Sequence, residues 1–297
     1  METSYLQSFL LVVESGSMSE AARRLDLTPA AIAQQIRTLE RELGAPLLAR
    51  AGRTVQPTEA GHRLVQRARG VLREVADIKT LVGNEAAGGE LVLGTINTAL
   101  HSLLPDILAR FVKTHPGVKV FLQSGTTATL YKAVQQGELD AAVCLYPAFA
   151  LAKTFDWSLL REEPLVLLAP NRLARHDPHD LLRTSPLIRY DRSLGGGKQA
   201  DRYLRAAGIV PQERFELSSL LAIAMMVDRG LGVSVVPDIA SPLLQGQRIA
   251  RIALPLSSEP RRFGVLWLRS SARLRLIQGF VETAGIVIAG KRTARKA

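Results

Sequence analysis

One cysteine in 297 residues, Cys144, leaves the chain without the means to form an internal disulfide and fits a reducing compartment. Long apolar runs are missing too. The stretch from Leu217 to Val227 falls well short of the ~18–20 residues that span a bilayer, so no membrane partner is expected. The N-terminal "METSYLQSFLLVVESGSMSE" has no basic n-region, and Glu14 and Ser15 break its apolar run, which argues against a secretory signal. Together these absences predict a cytoplasmic protein.

Catalytic and metal-binding patterns are equally scarce. "GGGK" at 195–198 lacks the G-x-x-x-x-G-K-[ST] spacing that cradles phosphate, and "GLG" at 230–232 precedes a strand and has no third glycine. There is no G-x-S-x-G elbow. His176-Asp177-Pro178-His179 offers ligand types, but Pro178 opposes a helical i, i+3 presentation and no fourth ligand is near in sequence; a surface loop is expected there. Cys144 sits in an apolar strand, where thiols are inert. The sequence therefore predicts no catalytic residues, no metal site and no cofactor.

What is present is an ordinary globular balance, 47% hydrophobic and 22% charged, with length for about two domains of ~100–200 residues. Net charge is +11, unevenly spread. Residues 1–88 carry 11 basic side chains against 10 acidic ones, whereas residues 261–297 carry nine against one, Glu282. A basic end such as "GKRTARKA" reads as a solvated terminus, so global charge says little about nucleic acid. Local arrangement has to carry that question.

In "SMSEAARRLDLTPAAIAQQI", Ser17-Met18-Ser19-Glu20 has the form of a capping box, in which Ser17 and Glu20 each accept the other's backbone N–H. Ala21, Ala22 and Leu25 give a narrow apolar face. Thr28-Pro29 opens a second helix with a good N-cap and a proline at N1. Ile32, Ile36, Leu39 and Leu43 form its buried stripe, closed at Gly44. Its outward face carries Ala30, Ala33, Gln34, Arg37 and Arg41: small residues for entering a groove, then an amide and guanidinium for base edges or phosphate. Read alone, the segment is either this or an αα-hairpin that only packs. "PLLARAGRTVQPTEAG" then sets Arg50 and Arg53 around Gly52 before β-type "RTVQ", a short wing reaching phosphate or minor groove, or else a solvated turn.

From Phe9 through Ala21-Ala22, Ile36, Leu39-Glu40, Leu43-Gly44, Arg50 and Ala60-Gly61, the order and spacing resemble the winged helix-turn-helix of LysR-type transcriptional regulators. The resemblance implies sequence-specific binding of double-stranded promoter or operator DNA. Gln34 and Arg37 fall where groove contacts are made, and Thr28, Arg50 and Arg53 where phosphate is held, with Ala30 and Ala33 lining the same face. Two positions depart from the family pattern: Ala33 replaces its usual serine, removing a hydroxyl contact, and Leu48 replaces its usual phenylalanine.

From Thr58 to about Leu81 the chain runs without a break, and Leu64, Ala68, Val71, Val75, Ile78 and Val82 repeat as a heptad seam. At ~1.5 Å per residue the rod is about 35 Å long, close to the ~34–36 Å between half-sites read by a two-fold dimer. It is either a surface helix on its own domain or a dimerisation helix, and LysR-type regulators pair through such a linker. "NEAAGGE" at 84–90 marks the hinge.

Beyond Gly89 the texture alternates. "ELVLGT", "VKVFLQSG" and "LDAAVCLY" read as strands around the helices "HSLLPDILARFVKTHPG" and "TATLYKAVQQGE". "EPLVLLAP", "PLIRYD", a turn at Gly195-Gly196-Gly197, the helix "KQADRYLRAAG", "RFELSS", the all-round apolar helix "LLAIAMMVDRG" and the strand "LGVSVVPD" make a second unit. "RRFGVLWLR" is placed to return to the first unit, followed by a closing helix "ARLRLIQGFVETAGIVI". The alternation predicts open α/β sheets with parallel strands. "LDAAV" and "MMVDRGLGVSVVPD" resemble the two-lobed, periplasmic-binding-protein-like effector domain of the LysR family. The expected architecture is therefore an N-terminal all-α winged helix-turn-helix (1–58), a linker helix and hinge (59–88), and a C-terminal α/β effector domain (89–297). Lobe I would take about 89–161 and 265–290, and lobe II about 162–264.

Ligands of open α/β sheets bind beyond the carboxyl ends of strands. The polar residues there are Thr95, Asn97, Thr98, Ser124, Thr126, Thr127, Arg189, Ser193 and Ser218. Hydroxyls and amides beside helix N-termini suit an anionic small-molecule effector, although each residue also reads as an ordinary cap or turn former. The resemblance implies a homodimer, its pairing into a tetramer, and RNA polymerase as a further partner. Two other classes are a solute-binding protein, opposed by the N-terminal module, and an α/β enzyme without a DNA role, opposed by the missing catalytic group.

Overall fold

A computed structural model describes residues 1–52, 54–82, 89–239, 241–244 and 246–294. The chain divides into two compact units, residues 1–90 with 117–119 and 135–138, and residues 91–116, 120–134 and 139–297.

The first unit opens with α1 (Thr3–Ser15), α2 (Met18–Leu25) and α3 (Pro29–Leu43), followed by a hairpin of β1 (Leu48–Ala51) and β2 (Thr54–Pro57) and the long α4 (Glu59–Val82). Its core gathers Leu6, Phe9 and Val12 of α1, Ala21 and Ala22 of α2, Ile32, Ile36 and Leu39 of α3, Leu47, and Ala68 of α4. Burying each large side chain among these contributes roughly 1.5–3 kcal/mol. Thr28 accepts from the Ala31 N–H at 3.1 Å, with Pro29 behind it. Ser17 accepts from the Glu20 N–H at 3.3 Å, but the Glu20 carboxylate does not return to Ser17; it binds Arg23 and Arg24. Only half the expected capping box forms, because charge-assisted bonds to two guanidiniums outcompete one neutral amide. The wing is tied to α3 by the Glu40 carboxylate, which accepts from the Leu47 and Leu48 N–H groups. Thr58 caps α4, accepting from Gly61 at 3.0 Å and donating to the Pro46 carbonyl at 2.7 Å. A Cβ at Gly61 would lie 2.1 Å from the Leu47 carbonyl oxygen, so only glycine lets α4 start this close to the wing.

The second unit begins with β3 (Gly89–Thr95), α5 (Asn97–Leu100), α6 (Leu104–Thr114), β4 (Val118–Ser124), α7 (Thr127–Gln135), β5 (Ala141–Leu145) and β6 (Phe155–Glu163). The chain then builds β7 (Leu165–Pro170), α8 (Pro178–Thr184), β8 (Pro186–Tyr190), α9 (Gly195–Ala206), β9 (Gln212–Leu217), α10 (Leu220–Asp228), β10 (Ser234–Pro237) and β11 (Ile249–Ala253). It ends with β12 (Arg261–Leu268) and α11 (Leu274–Ala294). One sheet has the order β4-β3-β5-β12-β6, so β12 does return to the first lobe. In the second lobe β8 and β9 are parallel, β7 lies between β10 and β11, and a Leu187–Val233 bridge joins the two sets.

Parallel pairing is only part of the picture: β3 and β5 are parallel, as are β8 and β9, but β7 and β12 bring antiparallel pairs. β12 runs antiparallel to both β5 and β6, and β7 is antiparallel to both its neighbours, since each lobe is completed by a strand that arrives from the other. Four local expectations are also corrected. The helix expected over 101–117 runs only from Leu104 to Thr114 as α6, and a further short helix, α5, precedes it. Asp177 accepts from the Asp180 N–H at 2.9 Å and Pro178 takes the first helical position, so a helix stands where a loop was expected. Gly195–Gly197 form the first turn of α9 rather than a turn before it. Finally, α10 is not buried all round: Leu220, Ile223, Ala224 and Val227 face the core while Met225 is exposed.

Candidate functional site

In the first unit, Ala30, Ala33, Gln34 and Arg37 share one face of α3. Thr28, Ala30, Gln34 and Arg37 are exposed and Ala33 is half-buried. The Arg37 guanidinium donates to the Gln34 side-chain carbonyl at 2.9 Å, so amide and guanidinium form one joined donor surface. Arg50 is exposed on β1, opposite Val55, while Arg53 lies outside the described residues. On α2, Glu20 is drawn down to about 2 by its hydrogen bonds to Arg23 and Arg24, and the nearby charges act in the same direction. Arg23 and Arg24 are thereby both partly neutralised by one carboxylate.

The seam of α4 is divided. Ala68 is buried in its own domain, and Leu64 and Leu72 pack against the same core. Farther along, Val71 and Ile78 are 38% and 59% exposed. The side chain of Val82 lies outside the described residues.

The second unit contains a cavity of about 880 Å³ between its two lobes. Seven of the nine residues singled out for an effector line it: Asn97, Thr98, Ser124, Thr126, Thr127, Ser193 and Ser218. The starts of α7, α9 and α10 all border it, through Thr127 and Ala128, Gly195 and Gly196, and Leu220 and Leu221. Aligned peptide dipoles and free N–H groups make such helix starts favourable for negative charge. Thr126 and Thr129 form the reciprocal cap of α7, each N–H bound to the other's hydroxyl at 3.0 and 3.3 Å. Ser219 caps α10. The Thr98 hydroxyl is buried and has no hydrogen-bond partner. Gly197 brings α9 against the end of β8; a Cβ there would fall 1.9 Å from the Asp191 carbonyl oxygen.

Two of the nine do not reach the cavity. Thr95 is fully buried and donates to the Ile96 carbonyl at 3.3 Å. Arg189 is buried and spent on carboxylates, paired with Asp201 and 3.4 Å from Glu213. Its side chain faces α9 rather than the cleft.

The cation that does line the cavity is Arg261, the first residue of β12 and almost wholly buried. Its Nε donates to Glu163 at 2.6 Å, and Glu163 also accepts from the Arg161 Nε at 2.6 Å. One buried carboxylate therefore serves two guanidiniums, leaving a surplus of one positive charge at the strands that cross between lobes. Beside it, burial raises the Tyr190 phenol above its ordinary range, with Arg261 pulling the other way. Lys198, at the rim, adds a second cation. Elsewhere burial pushes the Cys144 thiol up to about 12, which keeps it protonated and unreactive. No cluster of metal-ligating side chains occurs among the described residues, and no helix among them is long and apolar enough to cross a membrane.

Known proteins share this layout. Residues 3–62 match the model of the bacterial regulatory helix-turn-helix protein, lysR family, and residues 84–285 match the LysR substrate binding domain. The regulator CzcR of Bacillus cereus is 31% identical over 242 residues, covering 81% of each chain. IlvR of Caulobacter vibrioides is 29% identical over 286 residues, covering 92% of this chain and 94% of its own. Among solved structures, a full-length OxyR variant from Pseudomonas aeruginosa covers 96% of this chain and 94% of its own, at TM-score 0.69 and 24% identity. Full-length CbnR, solved with its target DNA, covers 97% of this chain and all of its own, at TM-score 0.67 and 22% identity. With residues 3–62 and 84–285 matched in that order, the chain belongs to the LysR family of DNA-binding transcriptional regulators.

Proposed function

We propose that this regulator responds to an anionic small molecule held in the interlobe cavity, and that the observation carrying this reading is the shared carboxylate of Arg161, Glu163 and Arg261. A buried cluster with net positive charge is costly unless an anion completes it. Three helix starts and the unpartnered Thr98 hydroxyl supply the remaining donors. Asn97, Ser124, Thr126, Thr127, Ser193 and Ser218 orient the ligand around them. Thermal melts of the full chain test this. A carboxylic acid that binds raises the midpoint, by about 2.7 kcal/mol of linked stability at a hundredfold excess over Kd, while its uncharged amide does not. Equal shifts from acid and amide would remove the charge from the reading.

On DNA, Gln34 and Arg37 reach base edges, and Thr28, Arg50 and Arg53 hold phosphate, with Ala30 and Ala33 allowing close approach. CbnR bound to its target DNA supports duplex DNA as the partner here. The exposed Val71 and Ile78 on α4 support pairing of two chains through that helix. Effector binding regulates only if it favours one arrangement of the lobes or subunits over another, which shifts a population rather than pushing a lever.

A further inference from the structure

We infer that the effector is an aromatic acid, its ring held by the segment that follows β5; this rests on the anionic reading above and names the ligand's other end. Tyr146 and Phe149 both line the cavity. Tyr146 is fixed from two sides: the Arg262 guanidinium sits 3.9 Å from its ring centroid, and Trp157 meets it edge-on at 5.3 Å. Phe149 is 46% exposed, yet it too is anchored, edge-on against Tyr131 at 4.9 Å, with Tyr131 stacked on Phe155 at 4.6 Å. Two rings are thus presented in set orientations by residues that do not themselves form the cavity wall. An exposed phenylalanine on a cavity wall loses hydrophobic stabilisation until something apolar covers it.

Ring faces also attract cations, but Arg261 and Lys198 in the same cavity repel a cationic guest. What remains is a body whose ring edges and faces complement Tyr146 and Phe149, with an anionic end near Arg261 and the helix starts. A plain aliphatic acid would fill the space without edge-to-face contact. The volume of about 880 Å³ leaves room for one or two fused rings.

Calorimetric titration of the full chain with benzoate, 2-naphthoate, their saturated-ring counterparts and 2-naphthalenemethanol tests both ends separately. The better aromatic acid is expected to bind about three- to tenfold more tightly than its saturated counterpart, the gain typical of one aromatic pair. Phe149→Leu, which keeps an apolar side chain, should erase most of that ratio and leave the saturated acid's affinity unchanged. Saturated acids binding as well as aromatic ones, or an unchanged ratio in the variant, would overturn the aromatic inference and leave the anionic reading standing. The alcohol binding as tightly as 2-naphthoate would do the reverse. If neither aromatic acid binds, both are overturned.

Discussion

One carboxylate between two guanidiniums recurs among the described residues, and two of these clusters lie in opposite surroundings. Glu20 holds Arg23 and Arg24 on the exposed surface of α2, while Glu163 holds Arg161 and Arg261 in the interior of the effector domain. In water, such a cluster is screened and worth little. Out of water, the one carboxylate can neutralise only one of the two guanidiniums, and removing one member exposes the rest. On the proposed reading, surroundings rather than composition make the first cluster a modest trim on DNA affinity and the second the centre of a binding site.

Breaking the inner cluster at its carboxylate should have the largest effect. Glu163→Gln leaves two buried guanidiniums facing each other, and an unfolding titration of the full chain should record a loss of about 3–5 kcal/mol. Arg161→Met sharpens the contrast. It leaves Glu163 and Arg261 as a neutral pair, so stability should fall by less than in Glu163→Gln while affinity for a carboxylic acid drops several-fold. Calorimetry and denaturant unfolding on the same variant check the two halves.

Effects at the reading head should be graded below these. Arg50→Ala should weaken every duplex alike and reduce the slope of log K against log salt by about 0.9 per protomer, the signature of one lost phosphate contact. Gln34→Ala should leave that slope alone and cost about 1–3 kcal/mol of discrimination between operator and random duplex. Anisotropy titrations at two salt concentrations separate them, and equal losses on both duplexes would remove Gln34 as a reader.

The smallest effect belongs to the outer cluster. Glu20→Gln frees Arg23 and Arg24, so binding to any duplex should tighten modestly at low salt and lose the gain at high salt. Acid titration gives the matching sign. The folded Glu20 titrates at about 2 against an ordinary 4.5. The stabilisation it contributes is complete above 4.5 and is lost as pH falls toward 2. Glu20→Gln should therefore flatten the acid limb of the N-terminal unit's stability in that window.

How much of this could be read from the chain depended on distance along it. Thr28-Pro29 and the cap at Ser17 act within three residues, so their helix starts follow from local chemistry. The hydroxyls around the cavity stand just after strands, where the α/β rule places ligands. Arg189 occupies such a position too, but Asp201 on α9 turns its side chain away, a contact no local pattern announces. Arg261 was missed because its partner is 98 residues distant and it opens a strand arriving from the other lobe. Likewise, Gly195–Gly197 look like a turn, whereas crowding against Tyr190 and Asp191 makes them the close-packed start of α9. The second capping box was hidden in Thr126 and Thr129, because threonine in place of Glu or Gln disguises the pattern.

The surplus charge of the inner cluster is tested most directly by titrating 2-naphthoate and 2-naphthamide into the natural chain and into Arg161→Met. If the cavity is built for an anion, the acid binds the natural chain, the amide does not, and Arg161→Met lowers the acid's affinity several-fold. Acid and amide binding alike, or an acid affinity untouched by Arg161→Met, would contradict it.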